Sequence, residues 1–145
     1  MDQPSAFFAG DHRHCDNEWA AVEAAVDAAD NDQAAACWKR FDAAMRRHFA
    51  MEEEVLFPAF EDATGMRGGP TQVMRMEHAQ MLGVLEQMAA AAAEGDFETL
   101  VDHGDTLLML IQQHNVKEEG MLYPMADRAL AAQWSEIKAK LDADY

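Results

Sequence analysis

Residues 48–58 read His48-Phe49-Ala50-Met51-Glu52-Glu53-Glu54-Val55-Leu56-Phe57-Pro58, and 66 positions further on the chain reads His114-Asn115-Val116-Lys117-Glu118-Glu119-Gly120-Met121-Leu122-Tyr123-Pro124. At the same offset Pro4-Ser5 meets Pro70-Thr71, Asp11-His12 meets Glu77-His78, and Asp30 meets Asp96. Self-similarity at one fixed offset marks two copies of a single structural plan. The copies cover about residues 4–66 and 70–130, within one domain spanning 1–145.

Each copy reads as a helix pair. Helices are predicted near 5–29, 33–60, 71–93 and 97–128, with the polar turns Asp30-Asn31-Asp32 and Glu94-Gly95-Asp96 inside the pairs and the Gly-rich stretch 64–70 between them. A short fifth helix is predicted near 130–142, carrying Trp134, Ile137 and Leu141 at helical spacing. Phe8, His12, Cys15, Trp19, Val22 and Val26 step four, three, four, three, four along the first helix. Met74, His78, Met81, Leu85, Met88 and Ala92 repeat that step on the third, which is the spacing of a bundle seam. The second helix offers Cys37, Phe41, Met45 or Ala44, His48, Glu52 and Val55, and the fourth Leu100, His103, Leu107, Leu110, His114, Glu118 and Met121. Short loops make sequential helices antiparallel neighbours, so the expected fold is all-α, an up-down-up-down four-helix bundle with a short fifth helix.

Composition agrees with one soluble helical domain. The chain has 145 residues, half of them hydrophobic, and no apolar run of the roughly 18 residues that a membrane span needs. Eleven Lys and Arg face 27 Asp and Glu, a formal charge of -16, which repels nucleic acid and anionic lipid alike. Met1-Asp2-Gln3-Pro4-Ser5 lacks the basic-then-apolar pattern of a leader, and two cysteines are too few for a disulfide scaffold, so a cytoplasmic location is expected.

Histidines and glutamates occupy the inward stripes. An unpaired buried carboxylate costs several kcal/mol, and cations remove that cost. His48 and Glu52 are i, i+4, as are His114 and Glu118, so each pair shares a helix face. The separations from His12 to His48 and from His78 to His114 are both 36 residues, which sets the ligands of the two halves at one level. The expected metal ligands are therefore His12, His48, Glu52, His78, His114 and Glu118. With two histidines per ion and both glutamates bridging, about two of roughly six octahedral positions stay open on each ion. One would hold a shared oxo or hydroxo bridge, the other a diatomic such as O₂ or NO. Imidazole and carboxylate ligation with open positions suits two non-haem iron ions, with manganese or zinc as competitors.

On these residues the sequence resembles the hemerythrin-like (HHE cation-binding) domains, four-helix bundles that hold a non-haem di-iron centre. The resemblance covers about residues 6–128 and rests on both HxxxEExxLFP-like segments. Glu52-Glu53, Leu56-Phe57-Pro58, Gly69-Pro70, Val73-Met74 and Glu77-His78 are most similar to the C-terminal domain of the repair-of-iron-centres proteins. The resemblance implies the same six ligands. Oxygen-carrying hemerythrins have a further histidine where this chain has Leu82, and a helix D carboxylate five rather than four residues after its histidine. Both differences point away from reversible oxygen carriage.

The remaining candidates read more plainly. His14 faces away from His12, and His103 lies eleven residues from His114, about 16 Å along the axis, as a core or channel-lining side chain. Cys15, one turn beyond His12, is a small core residue or a neighbour of the centre. It and Cys37 are expected at different levels, as free thiols. Glu53, Glu54 and Glu119 are expected on the outer face in solvent, with Glu119 able to replace Glu118 if the helix bulged. No phosphate-binding glycine loop or nucleophile elbow is present, and the Glu-x-x-His of ferritin-like bundles is missing. The expected function is binding or reduction of O₂, NO or peroxide, or supply of iron in stress response and iron–sulfur repair. The alternatives are a non-catalytic sensor, carrier or store, and a helical interaction module with a structural metal. Whether the protein is an enzyme stays open.

Overall fold

The computed structural model describes residues 2–145. It is all-helical among those residues. Helix α1 is Pro4–Asp27. Helix α2 covers 31–64, as an α-helix over Asn31–Met51, a π-helical turn over Glu52–Leu56 and an α-helix over Phe57–Thr64. Helix α3 is Pro70–Ala93. Helix α4 covers 97–129 and repeats that build, with Phe97–Lys117, a π turn at Glu118–Leu122, and Tyr123–Ala129. Helix α5 is Trp134–Asp144, starting four residues later than the sequence predicts because residues 130–133 form the turn that reverses the chain.

Local chemistry sets the ends. Prolines sit in the first turns of α1 and α3, where the missing N–H is not needed. Asp30 and Asp96 cap α2 and α4 by accepting from the backbone N–H groups of Gln33 and Thr99, both at 3.1 Å. Asn31 and Asp32, predicted in the turn, therefore belong to the first turn of α2. The turns before both caps need a left-handed residue, which is Gly95 (φ 70) in the second and Ala29 (φ 56) in the first.

Helix α1 packs mainly on α2, and α3 on α4. Ser5 ties the start of α1 to the end of α4 through Asp127, with its N–H 2.9 Å and its hydroxyl 2.6 Å from the carboxylate. Two apolar cores result. One, toward the turns within the pairs, gathers Cys15, Trp19, Phe41, Met81, Leu85 and Leu107. The other, capped by α5, gathers Phe8, Leu56, Phe60, Met74, Leu122 and Trp134. Between them each helix contributes polar residues, so the histidine and glutamate layer has apolar walls on both sides.

The π turns shift the fourth stripe. Leu122, not Met121, points inward past Glu118, and Met121 is 51% exposed. A π turn inserts backbone without lengthening the ladder, so residues beyond it rotate relative to an uninterrupted α-helix. His103 and Leu110 are half-buried, with Gly104 and Ile111 taking the fully inward places.

Gly104 is inward for a packing reason. A Cβ there would lie 2.3 Å from the Trp19 ring, so α4 gives up a side chain to seat an indole from α1. At the positions 66 residues away the volumes are exchanged, with Trp38 for Gly104 and Leu85 for Trp19. Gly104→Ala gains helix propensity of about 1 kcal/mol but overpacks this contact. Against an overpacking cost of about 1–3 kcal/mol this leaves a net loss of up to about 2 kcal/mol, read by urea unfolding; a raised midpoint would show that Trp19 has room to move.

Candidate metal centre

The structure brings all six predicted side chains together. His12, His48, His78, His114, Glu52 and Glu118 are each 5% exposed or less. His12, His48 and Glu118 offer ligand atoms that lie within 4.8 Å of one another, and so do Glu52, His78, His114 and Glu118. The histidines thus group by half, as the equal spacings require. The carboxylates span the groups. Glu118 Oε1 is 3.0 Å from His12 Nε2 and 3.1 Å from His114 Nε2. Glu52 Oε1 is 3.3 Å from His48 Nε2 and 3.0 Å from His78 Nε2.

An outer ring of carboxylates fixes the histidines. Every Nδ1–H donates outward: His48 to Asp11 at 2.8 Å, His78 to Glu53 at 2.7 Å, His114 to Glu77 at 2.8 Å and His12 to Glu119 at 2.8 Å. The ring follows the sequence repeat, because Asp11 corresponds to Glu77 and Glu53 to Glu119. Glu53 and Glu119, expected in solvent on the outer face, instead reach across to histidines of the opposite half while keeping partial exposure. Glu118 stays in the centre although its helix bulges, so Glu119 does not replace it. Burial raises the Asp11 carboxyl, but its bond from His48 and the nearby Arg47 hold it below the usual range. The bond from His78 lowers Glu53. Burial raises Glu77, and the bonds from Lys117 and His114 outweigh it.

With Nδ1–H committed outward, each Nε2 presents a lone pair to the interior. His12 Nε2 and His48 Nε2 approach to 3.1 Å, lone pair to lone pair. Glu52 Oε1, His78 Nε2, His114 Nε2 and Glu118 Oε2 have no hydrogen-bond partner although fully enclosed. Buried acceptors facing acceptors need positive charge between them. Nitrogen and oxygen donors without thiolate fit iron, manganese or zinc. Without metal, protons are drawn in: against burial, the Glu52 charge and the nearby carboxylates of Asp11 and Glu118 push His48 well above its usual range. Against the same penalty, the Glu52 and Glu53 carboxylates on either side of its ring carry His78 up to about 9.

Tyr123 stands in the second copy of the repeated motif, where spacing alone assigns it no role. Its single O–H donates to Glu52 Oε2 at 2.6 Å, with Glu118 Oε1 at 2.9 Å as the alternative acceptor and His12 Nε2 at 3.1 Å. Burial and the two carboxylates push its phenol well above 10, so it stays a donor. Its signal in the sequence is the one hydroxyl gained where the repeated motif has Phe57. On the other side of the centre a small cavity is lined by Cys15, Met45, Met81 and Ile111 together with His12, His48 and His114. Burial pushes the Cys15 thiol up to about 12, and both cysteines are free. His14 is exposed and His103 stands outside the centre.

A helical bundle with buried imidazoles and carboxylates converging on two adjacent positions defines a cation-binding protein. The hemerythrin HHE cation binding domain model matches residues 3–126, and the chain belongs to that family. No curated protein and no solved structure matches the chain.

Removing an outer carboxylate frees its histidine to turn. Asp11→Asn and Glu77→Gln are each expected to lower affinity for a divalent cation about 10–100-fold, read by competition with a chelating dye. Unchanged affinity in both would place these bonds outside the metal chemistry. The metal-free protein has its own pH dependence. A histidine whose folded pKa is raised stabilises fully below its unfolded value near 6.5 and ceases to as pH passes the folded value. The metal-free Tm is therefore expected to fall from pH 6.5 through about 9, the value for His78. A flat Tm over that range would show the layer is not held by protons.

Proposed function

We propose that His12 and His48 hold one iron ion and His78 and His114 a second, with Glu52 and Glu118 bridging them, in a single domain that binds or reduces a small molecule such as O₂, NO or peroxide. The observation that carries this reading is the set of four inward Nε2 lone pairs facing two enclosed carboxylates with no proton donor but Tyr123. Bound there, iron would supply redox change and affinity for a small ligand. The chain supplies the rest. The outer carboxylates hold the imidazoles, Tyr123 orients Glu52 and Glu118, and the two apolar cores keep bulk water away.

Small-molecule binding is favoured over iron supply in stress repair because the six donors are enclosed between the cores, which suits retention of the metal. The cavity against His12, His48 and His114 has about 10 Å³ of room, close to what one water needs, and so favours very small ligands. A cytoplasmic setting is supported by two free thiols. Among the described residues no helix is long and apolar enough to cross a membrane. The formal charge of -16 disfavours nucleic acid as a partner.

Purified protein is expected to carry about two iron ions per chain by elemental analysis, and chelation should lower its Tm by many degrees, because the emptied layer leaves like charges enclosed. Glu52→Ala should reproduce the chelated Tm. One ion per chain, or none after anaerobic reconstitution with ferrous iron, would overturn the di-iron reading.

A further inference from the structure

The two halves of the centre share ligands, outer carboxylates and stacked rings. Tyr123 lies over His12 at 5.6 Å between centroids, as Phe57 lies over His78 at 5.7 Å. Their surroundings differ at two corresponding places. Phe49, buried, stacks on His78 at 4.2 Å and with its other face lines the small cavity. The residue 66 positions on is Asn115, a shorter and only half-buried side chain. Half-buried Leu82 packs against the apolar core, and its counterpart is the exposed Asp16.

The Asn115 side continues to the surface. A groove of about 550 Å³ runs between α1 and α4 and is lined by Asp16, Trp19, Glu23, Ile111, Asn115 and Glu119. Three of these residues, Asp16, Ile111 and Asn115, also line the small cavity against His12, His48 and His114. The groove and the cavity therefore share one wall, made of Asp16, Ile111 and Asn115. Its mouth carries the carboxylates of Asp16, Glu23 and Glu119, which repel anions on approach.

We infer that a small neutral molecule enters between α1 and α4 past Asn115 and reaches the layer at His12, His48 and His114, while small anions are held back at the mouth. The inference rests on the iron reading above and adds the route, the gate residue and the charge class of the ligand. Phe49 and Leu82 fill the equivalent approach between α2 and α3.

Stopped-flow mixing of the iron-loaded, reduced protein with NO tests the route, and mixing of the oxidised protein with azide tests the charge selection. Asn115→Phe, which installs the residue of the other copy, is expected to slow NO association at least tenfold at unchanged iron content. Asp16→Asn is expected to speed azide association and weaken its salt dependence, with the NO rate unchanged. A metal-independent readout uses Cys15, which lines the cavity, with Cys37 as internal control. Labelling of Cys15 in the metal-free chain by methyl methanethiosulfonate, followed by mass spectrometry, should slow in Asn115→Phe relative to Cys37. If Asn115→Phe does not fold, Asp16→Leu carries the same expectation for NO. An NO rate independent of both substitutions in protein that holds two irons overturns this inference and leaves the iron reading standing. A chain that holds no iron overturns both.

Discussion

Four imidazole nitrogens and two carboxylates, all acceptors, meet in a volume that the surrounding residues close to water. Such an arrangement is unfavourable unless cations or protons enter, and nearly every other polar choice near the middle of the bundle serves it. The outer carboxylates make the histidines present lone pairs inward by taking their Nδ1 protons. Behind them stand further charges: Arg47 lies 3.5 Å from Asp11, and Lys117 pairs with Glu77. Negative charge thus exceeds positive charge close to the centre, which draws multivalent cations in and leaves the emptied protein dependent on protonated histidines. The apolar cores above and below keep this charge from being screened.

The π turns belong to the same constraint. In both halves the turn begins at the inward glutamate and includes the next residue, so Glu52 and Glu53, like Glu118 and Glu119, both serve the centre. The wider turn brings consecutive side chains closer in direction than an α-helix does, and single π turns concentrate at functional sites for such reasons. One glutamate faces the interior, and its neighbour reaches the Nδ1 of a histidine on another helix.

Much of this was legible in the sequence because it is written in residue types at fixed spacing. The six inward residues recur at one offset, and an apolar stripe that admits His and Glu has few physical explanations. The helix boundaries followed from proline, aspartate and glycine punctuation to within a few residues. Three features were hidden for distinct reasons. A π turn leaves no residue signature of its own, so Met121 was placed inward where Leu122 belongs. The bonds of Glu53 and Glu119 join helices 25 and 107 residues apart, and depend on rotations no spacing rule fixes. Asp11 and Glu77 each serve the histidine 37 residues away rather than the one beside them. For these two a trace existed, since both precede a site histidine in each copy.

Duplication explains the ligand set, but the departures from duplication give the centre its direction. Where the copies agree, the residues are the proposed cation donors or the carboxylates bonded to them. Where they differ near the centre, the differences are polar on one side: Tyr123 for Phe57, Asn115 for Phe49, Asp16 for Leu82. The first places a hydroxyl against Glu52, Glu118 and His12, and the other two loosen the packing over His12 and His48. Trp19, seated on Gly104, stands in the wall of the same groove, so the packing exchange between α1 and α4 also shapes the approach. A strictly repeated bundle would give two equivalent cation positions with equal enclosure. These substitutions put a hydroxyl and a groove on the α1–α4 side of the layer and leave two aromatic rings over His78, so the proposed donors and the proposed route to them lie on different residues of the same helices.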